Sequence, residues 1–396
     1  MSSESPGTQA EPIRIPRTIW ALGFVSLFMD LSSELVHSLL PVFLVTTLGA
    51  SALTVGVIEG IAESTAMLVK IFSGAISDFM GRRKGLLLLG YGLAALSKPL
   101  FPLAHSADVV FIARFLDRIG KGIRGAPRDA LVADVSPAEI RGACFGLRQS
   151  MDTVGAVLGP ALAILLMLWL ADIQRVLWFA VIPATIAVAL IVTGVKESTH
   201  VSSTPKFRSP IHWSVLHDFS SGYWWVVIIG GVFTLARFSE AFLVLRAQQA
   251  GLSVTWVPLV MVIMSLFYAL SAYPAGWLSD RVSRTKLLCV GMGLLILADL
   301  VLAQSRSVIT MMLGVALWGL HMGFSQGILA SLVADKSPRE LKGTAFGIFN
   351  LVSGVCMLMA SVLAGGLWQS IGSDSTFLMG AVIASTALLL LLLKKQ

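Results

Sequence analysis

The chain has 396 residues, of which 56% are hydrophobic and only 13% charged, and its formal net charge is +7. Soluble domains carry about a quarter charged residues, and a water-soluble core could not absorb this much apolar surface, so the composition excludes an ordinary soluble enzyme or binding module. The positive excess does not call for nucleic acid, because its placement along the chain follows membrane topology.

Residues 1–17 are polar and contain Pro6, Pro12 and Pro16; they read as a disordered tail without the apolar stretch of a signal peptide. Apolar stretches then follow at about 20–45, 54–77, 85–104, 109–132, 145–170 and 176–195. After the polar segment 196–221, which holds Pro205 and Pro210, six more lie at about 224–245, 256–278, 287–303, 309–333, 345–368 and 377–393. A helix needs roughly 20 apolar residues to cross a hydrocarbon core of about 30 Å. The expectation is an all-α membrane protein with twelve transmembrane helices: a six-helix bundle over 18–195, a linker over 196–221 and a second six-helix bundle over 222–393.

Six spans per half return the chain to its starting side, so the two bundles run parallel. With both termini cytoplasmic, the cytoplasmic side collects Arg82, Arg83, Lys84, Arg281, Arg284 and Lys286 among other bases, while the opposite loops hold Arg175, Arg246 and Arg306. This is the positive-inside pattern. Cys144, Cys289 and Cys356 fall in or beside apolar spans without paired or metal-like spacing, so neither a disulfide framework nor a metal site is expected.

The halves share two motifs. Gly74-Ala-Ile-Ser-Asp78-Phe-Met-Gly81-Arg82-Arg83-Lys84 returns as Gly276-Trp-Leu-Ser-Asp280-Arg-Val-Ser283-Arg284-Thr-Lys286, a shift of 202 residues for the aspartate. The run from Leu131 to Gly146, with Asp134, recurs from Leu332 to Gly347, with Asp335, at a shift of 201. A repeat of this length marks an internal duplication. Asp78 and Asp280 end spans beside basic loops, where a carboxylate can pair with Arg or accept backbone hydrogen bonds from a helix start.

On these residues the chain resembles the major facilitator superfamily of secondary transporters, with Gly74, Asp78, Gly81, Arg82, Arg83 and Lys84 carrying its loop signature between spans 2 and 3. The second copy has Ser283 where the glycine is expected. The resemblance implies two bundles rocking about a central cavity, with Gly74, Asp78, Gly81, Arg82, Arg83, Asp134, Asp280, Arg284 and Asp335 forming a cytoplasmic gate.

Ionisable residues at membrane depth cost on the order of 3 kcal/mol each and are functional candidates by default. In span 1, Asp30, Glu34 and His37 share one helical face; in span 2, Glu59 and Glu63 are one turn apart. These helices are expected to present four carboxylates to a common cavity. Span 4 supplies Arg114, Asp117, Arg118, Lys121, Arg124 and Arg128, thinned by Gly120, Gly122 and Gly125. Arg118-Ile-Gly-Lys121-Gly122 is similar to the superfamily's span-4 motif associated with proton coupling, with lysine in place of glutamine. Span 5 adds Arg148, Gln149 and Asp152, and span 7 adds Arg237 and Glu240, one turn apart. Span 10 offers Trp318, His321 and Gln326 to the cavity. The second half otherwise reads as nearly uncharged at depth and rich in aromatic residues.

No phosphate-cradling Gly-x-x-x-x-Gly-Lys-Ser/Thr and no His-Glu-x-x-His occurs, which argues against an ATP-driven pump and a metalloenzyme. The expectation is a monomeric secondary transporter of the cell inner membrane, without cofactor, moving a small amphiphilic molecule outward. Its expected partners are that solute, the lipid bilayer and protons, because a carboxylate desolvated in a cavity can load and release a proton near neutral pH; sodium is the alternative ion. Asp30, Glu34, Glu59, Glu63 and Arg118 are the candidates for coupling, and His37, Arg114, Lys121, Arg124, Arg237, Glu240, Trp318, His321 and Gln326 for the substrate cavity. The alternatives are transport of an anion, a metal chelate or siderophore, or a divalent metal, and a non-transporting receptor or sensor on the same fold.

Overall fold

A computed structural model describes residues 14–196, 213–279, 281–338 and 341–393. Most of the N-terminal tail, most of the linker, and Asp280 lie outside the described residues.

Regular structure among the described residues is entirely helical and follows the expected order of twelve spans. The first half comprises Arg17–Thr47, Ala52–Met80, Lys84–Ser97, Ala107–Val135, Arg141–Leu170 and Ile173–Gly194. The second comprises Ser221–Gln249, Leu259–Ser279, Arg284–Gln304, Val308–Lys336, Lys342–Ser370 and Ser373–Leu393. Ten of these segments are long and apolar enough to cross a membrane by length and composition alone. The two that fall short have identifiable causes. Span 3 ends early because Pro99, which lacks an N–H, tightens the next turn into a 3-10 helix over Lys98–Leu100, and span 4 carries seven charged residues from Arg114 to Asp129.

The helices pack as a repeat. Spans 1 and 5, 2 and 4, 3 and 4, and 1 and 6 meet in the first half; spans 7 and 11, 8 and 10, 9 and 10, and 7 and 12 meet in the second. The halves join where span 2 meets span 11 and span 5 meets span 8, pairings that exchange under the same twofold. Span 2 comes so close to span 11 that a Cβ on Gly56 would collide with the Ser361 carbonyl oxygen, and one on Gly365 would stand 2.6 Å from that of Ala52. Small residues permit this approach where lipid supplies no hydrophobic drive for helices to associate. Around the outside, Phe24, Phe72, Leu96, Trp169, Leu270 and Ile309 are exposed, a surface that would aggregate in water and suits a lipid boundary.

The core is not evenly shared. The apolar cluster that joins both halves draws its first-half residues, such as Leu39, Phe43, Val55 and Val176, from the helix ends remote from the repeated loops. At the repeated-loop end the first half has a separate cluster around Leu22, Leu87, Leu131 and Ile191, and the second half has another around Tyr223, Val333 and Ile348. The halves are thus sealed at the far end and parted at the loop end, leaving a cleft between them.

Candidate functional site

At the loop end, Gly81 closes span 2 with φ +62°, and its N–H donates to the Ser77 carbonyl. Glycine suits this left-handed position because it has no Cβ to clash. In the second copy Ser283 caps span 9 with φ −57°, so that turn needs no glycine. Arg83 Nε lies 2.6 Å from Asp134 Oδ2, and its Nη1 lies 3.6 Å from Asp78 Oδ1. In the second half Arg284 pairs with Asp335. Both pairs stand at the same shift of 201 residues. Gly74 sits against Ala126 of span 4 and Arg82 is exposed. Lys84 donates to the Val192 and Val195 carbonyls at the end of span 6, a favourable place for a cation. Each Arg–Asp pair stays within its own half.

Deeper in the first half the charges form two tiers. In the upper tier Arg114 grips Glu59 with both arms of its guanidinium, Nε to Oε1 at 3.0 Å and Nη2 to Oε2 at 2.7 Å. This is the bidentate geometry that makes Arg–carboxylate pairs strong. His37 bridges Glu34 at 3.4 Å and Glu59 at 3.6 Å, and Arg118 reaches Glu63 at 3.2 Å. Lys98, fully buried, holds Asp117 at 2.8 Å and donates to Ser33 Oγ at 3.0 Å. Nothing in the sequence reading singled out Lys98, a lone base within an apolar stretch.

The lower tier is less complete. The carboxyl groups of Asp30 and Asp152 lie against each other. Asp152 also has Arg128 at 3.6 Å and Arg148 at 3.7 Å; Arg148 donates to Gln149 at 2.6 Å. Arg124 stacks its guanidinium over the Tyr91 ring at 4.6 Å and leaves Nη1 buried without a hydrogen bond. Lys121 is exposed, within the field of Asp30, Glu34 and Glu63, yet makes no ion pair.

The four carboxylates of spans 1 and 2 therefore do not face one common cavity. Glu59 is 1% exposed and fully engaged, whereas Asp30 turns toward span 5. Helical spacing would place Asp117, Lys121, Arg124 and Arg128 on one face of span 4, yet they too go to different partners, because span 4 is packed against spans 2 and 3 at once.

In the second half, Arg237 and Glu240 are not one turn apart. Span 7 is broken between Ala236 and Ala241, with the Ser239 N–H donating to Ser361 Oγ and the Ala241 N–H to Ser239 Oγ. Arg237 and Glu240 form no ion pair. Arg237 leaves its buried Nε without a hydrogen bond, and its guanidinium lies 5.9 Å from the Phe233 ring centroid. Glu240 looks across the cleft at His37, Glu34 and Glu63. Tyr268 lies within the field of both Arg237 and Asp152. Trp318 and His321 are packed inside the second-half core, 1% and 0% exposed, while Gln326 is half-buried. The expectation of a nearly uncharged second half also misses Asp299 in span 9, which is completely buried with both oxygens unpartnered. Among the described residues no three His, Cys, Asp or Glu side chains converge in a metal-holding group.

Two halves joined at one end, a repeated Arg–Asp loop motif and a charged cleft between the bundles match a known pattern. The family model described as Major Facilitator Superfamily matches residues 22–263 and 226–396. The chain belongs to this superfamily. It is 33% identical to an MFS-type transporter of Methanocaldococcus jannaschii over 96% of this chain and 95% of that protein. Over 39% of this chain and 38% of the relative it is 32% identical to the multidrug resistance protein MdtH of Photorhabdus laumondii. Its fold matches the crystal structure of the human organic anion transporter MFSD10 with a TM-score of 0.70, at 18% identity, over 96% of this chain and all of that one. The protein is a multi-pass membrane transporter of this superfamily.

Proposed function

We propose that the protein is a proton-coupled exporter of a small amphiphilic molecule across the inner membrane, with the repeated loops and both termini on the cytoplasmic side. The observation that carries this reading is the contact between Asp30 and Asp152 beside an unpaired Lys121. Two carboxyl groups hold such a contact by sharing a proton, and like-charge crowding opposes ionising both. An ionised Asp30 has Lys121 and Arg124 within its field, so proton loss there redistributes cations that a solute can also engage. The upper tier, with Glu59 locked by Arg114, is the rigid support for this exchange, and Glu34, Glu63 and Arg118 link the two tiers.

The amphiphilic character is supported by the charged side chains of spans 1, 2, 4 and 5 and by the partly buried ring of Tyr268 on span 8. Outward transport is supported by the partial likeness to a multidrug resistance protein and by a cleft that opens at the loop end, where a cytoplasmic solute would load. A second reading, transport of an anion or a metal chelate, is favoured by the cations without carboxylate partners, Lys121 and Arg124.

The test begins with a thermal-shift screen, since a binder stabilises the state it prefers. Flux of the best binder in proteoliposomes under an imposed pH step is then compared with counterflow at equal pH. Asp30→Asn should abolish pH-driven accumulation and spare counterflow. Accumulation at the wild-type level would reject coupling at Asp30. An anionic binder whose affinity falls in Arg124→Gln, with neutral binders unaffected, would favour the second reading.

A further inference from the structure

Asp299 has no place in the cycle just described. It lies in the C-terminal third of span 9, 0% exposed, with neither carboxyl oxygen hydrogen-bonded. No charged or titratable side chain acts on it; Arg237 and Glu240 flank the span 7 break and His321 lies in span 10, but none of them pairs with it. Its surroundings leave no room for a solute. A Cβ on Gly380 of span 12 would stand 2.5 Å from Asp299 Oδ2 and 3.1 Å from the Phe238 ring. Phe238 in turn contacts Phe242, Phe377 and Trp318, at centroid distances of 5.7, 5.5 and 5.3 Å.

An unpaired carboxylate in such a place costs several kcal/mol, and a group of this kind neutralises itself instead. The ligand that needs no room is a proton. Phe238 also belongs to the non-helical break of span 7. Beside it, the Ser239 N–H is held by Ser361 of span 11 at 3.2 Å, and the carbonyl of Ser361 is the group against which Gly56 of span 2 packs. The carboxyl group of Asp299 and the ring of Phe238 therefore converge on Gly380, which places the acid near the broken helix that is tied to the contact between the halves.

We infer that Asp299 is a second proton-binding site, in the second half, and that its proton stabilises the span 7 break and with it the span 2–span 11 contact of the state seen here. Ionised Asp299 would have to find donors, and the nearest loosened backbone is that of the span 7 break, so loss of the proton would repack this joint. The coupling part of the inference rests on the proton-coupled reading above; the presence of the proton does not.

The two parts are separated by infrared spectroscopy and flux. Reconstituted wild-type protein should show the C=O stretch of a neutral carboxylic acid that shifts on deuteration. Asp299→Asn should remove that band, Asp30→Asn should leave it, and Gly380→Ala should move its frequency. A spectrum identical in wild type, Asp299→Asn and Gly380→Ala would overturn the site, even with proton coupling at Asp30 intact. In proteoliposomes, Asp299→Asn should lower pH-driven accumulation of the thermal-shift binder several-fold while counterflow persists; unchanged accumulation with the band lost would overturn the link to transport.

Discussion

The two halves share one plan and fill it with opposite chemistry. In the first, charges from spans 1, 2, 3 and 4 interlock, with Arg114, Glu59, Lys98 and Asp117 all at most 2% exposed. In the second, the core of spans 7 and 10 is packed with aromatic rings, and the buried ionisable groups Asp299 and His321 make no side-chain hydrogen bond. The duplication is preserved at the loop end, where Arg83–Asp134 and Arg284–Asp335 repeat, and lost at depth. Both halves keep an Arg–Asp pair at the loop end, whereas at depth the first holds interlocked charge and the second mostly apolar surface.

This contrast is sharpened most by breaking the upper tier. Arg114→Met leaves Glu59 buried beside only His37, and removing one partner of a buried pair costs about 3–5 kcal/mol. The variant should lose a large part of its thermal stability in detergent, and adding Glu59→Gln should restore much of it. Equal melting of the single and double variants would mean that the pair is not the support it is taken to be.

The joint between the halves comes next. Gly56→Val forces side-chain atoms into the Ser361 carbonyl, and a clash of this kind costs about 1–3 kcal/mol. It should shift the population away from the far-end-sealed state, read as faster labelling of a cysteine placed at Thr46. Unchanged labelling would place the strain elsewhere. The loop motif should show a smaller effect. Arg83→Ala and Arg284→Ala, each removing a partly exposed pair worth about 0–1 kcal/mol, should slow transport to a similar degree with little change in stability. Strongly unequal effects would contradict the equivalence of the two copies. Least affected should be the second-half core: His321→Phe removes two unsatisfied nitrogens from an aromatic cluster, and melting should be unchanged or slightly raised.

Much of this was legible in the residues. The twelve spans, the repeat and the loop motif follow from apolar length and the spacing of Asp78, Arg83, Asp134 and Asp335, all local signals. What escaped were facts of long-range packing. Lys98 and Asp299 each sit as one charge in an apolar stretch, and hydropathy averages such a residue away. The break of span 7 carries neither glycine nor proline; it is stabilised by Ser361, 122 residues from Ser239. Helical spacing put Asp30 with Glu34 and His37, but the approach of span 5 to span 1 gives Asp30 a partner, Asp152, that no periodicity on span 1 could name.

The central claim is that proton exchange occurs at the Asp30–Asp152 pair and not in the upper tier. Its most direct measurement is the proton count on ligand binding: the thermal-shift binder is added to weakly buffered purified protein with a pH dye, for wild type, Asp30→Asn, Asp152→Asn and Glu63→Gln. Binding should displace protons in wild type and in Glu63→Gln, and displace none in either aspartate variant although both still bind. Proton release that survives in both aspartate variants and vanishes in Glu63→Gln would contradict the account and move the coupling site to the upper tier.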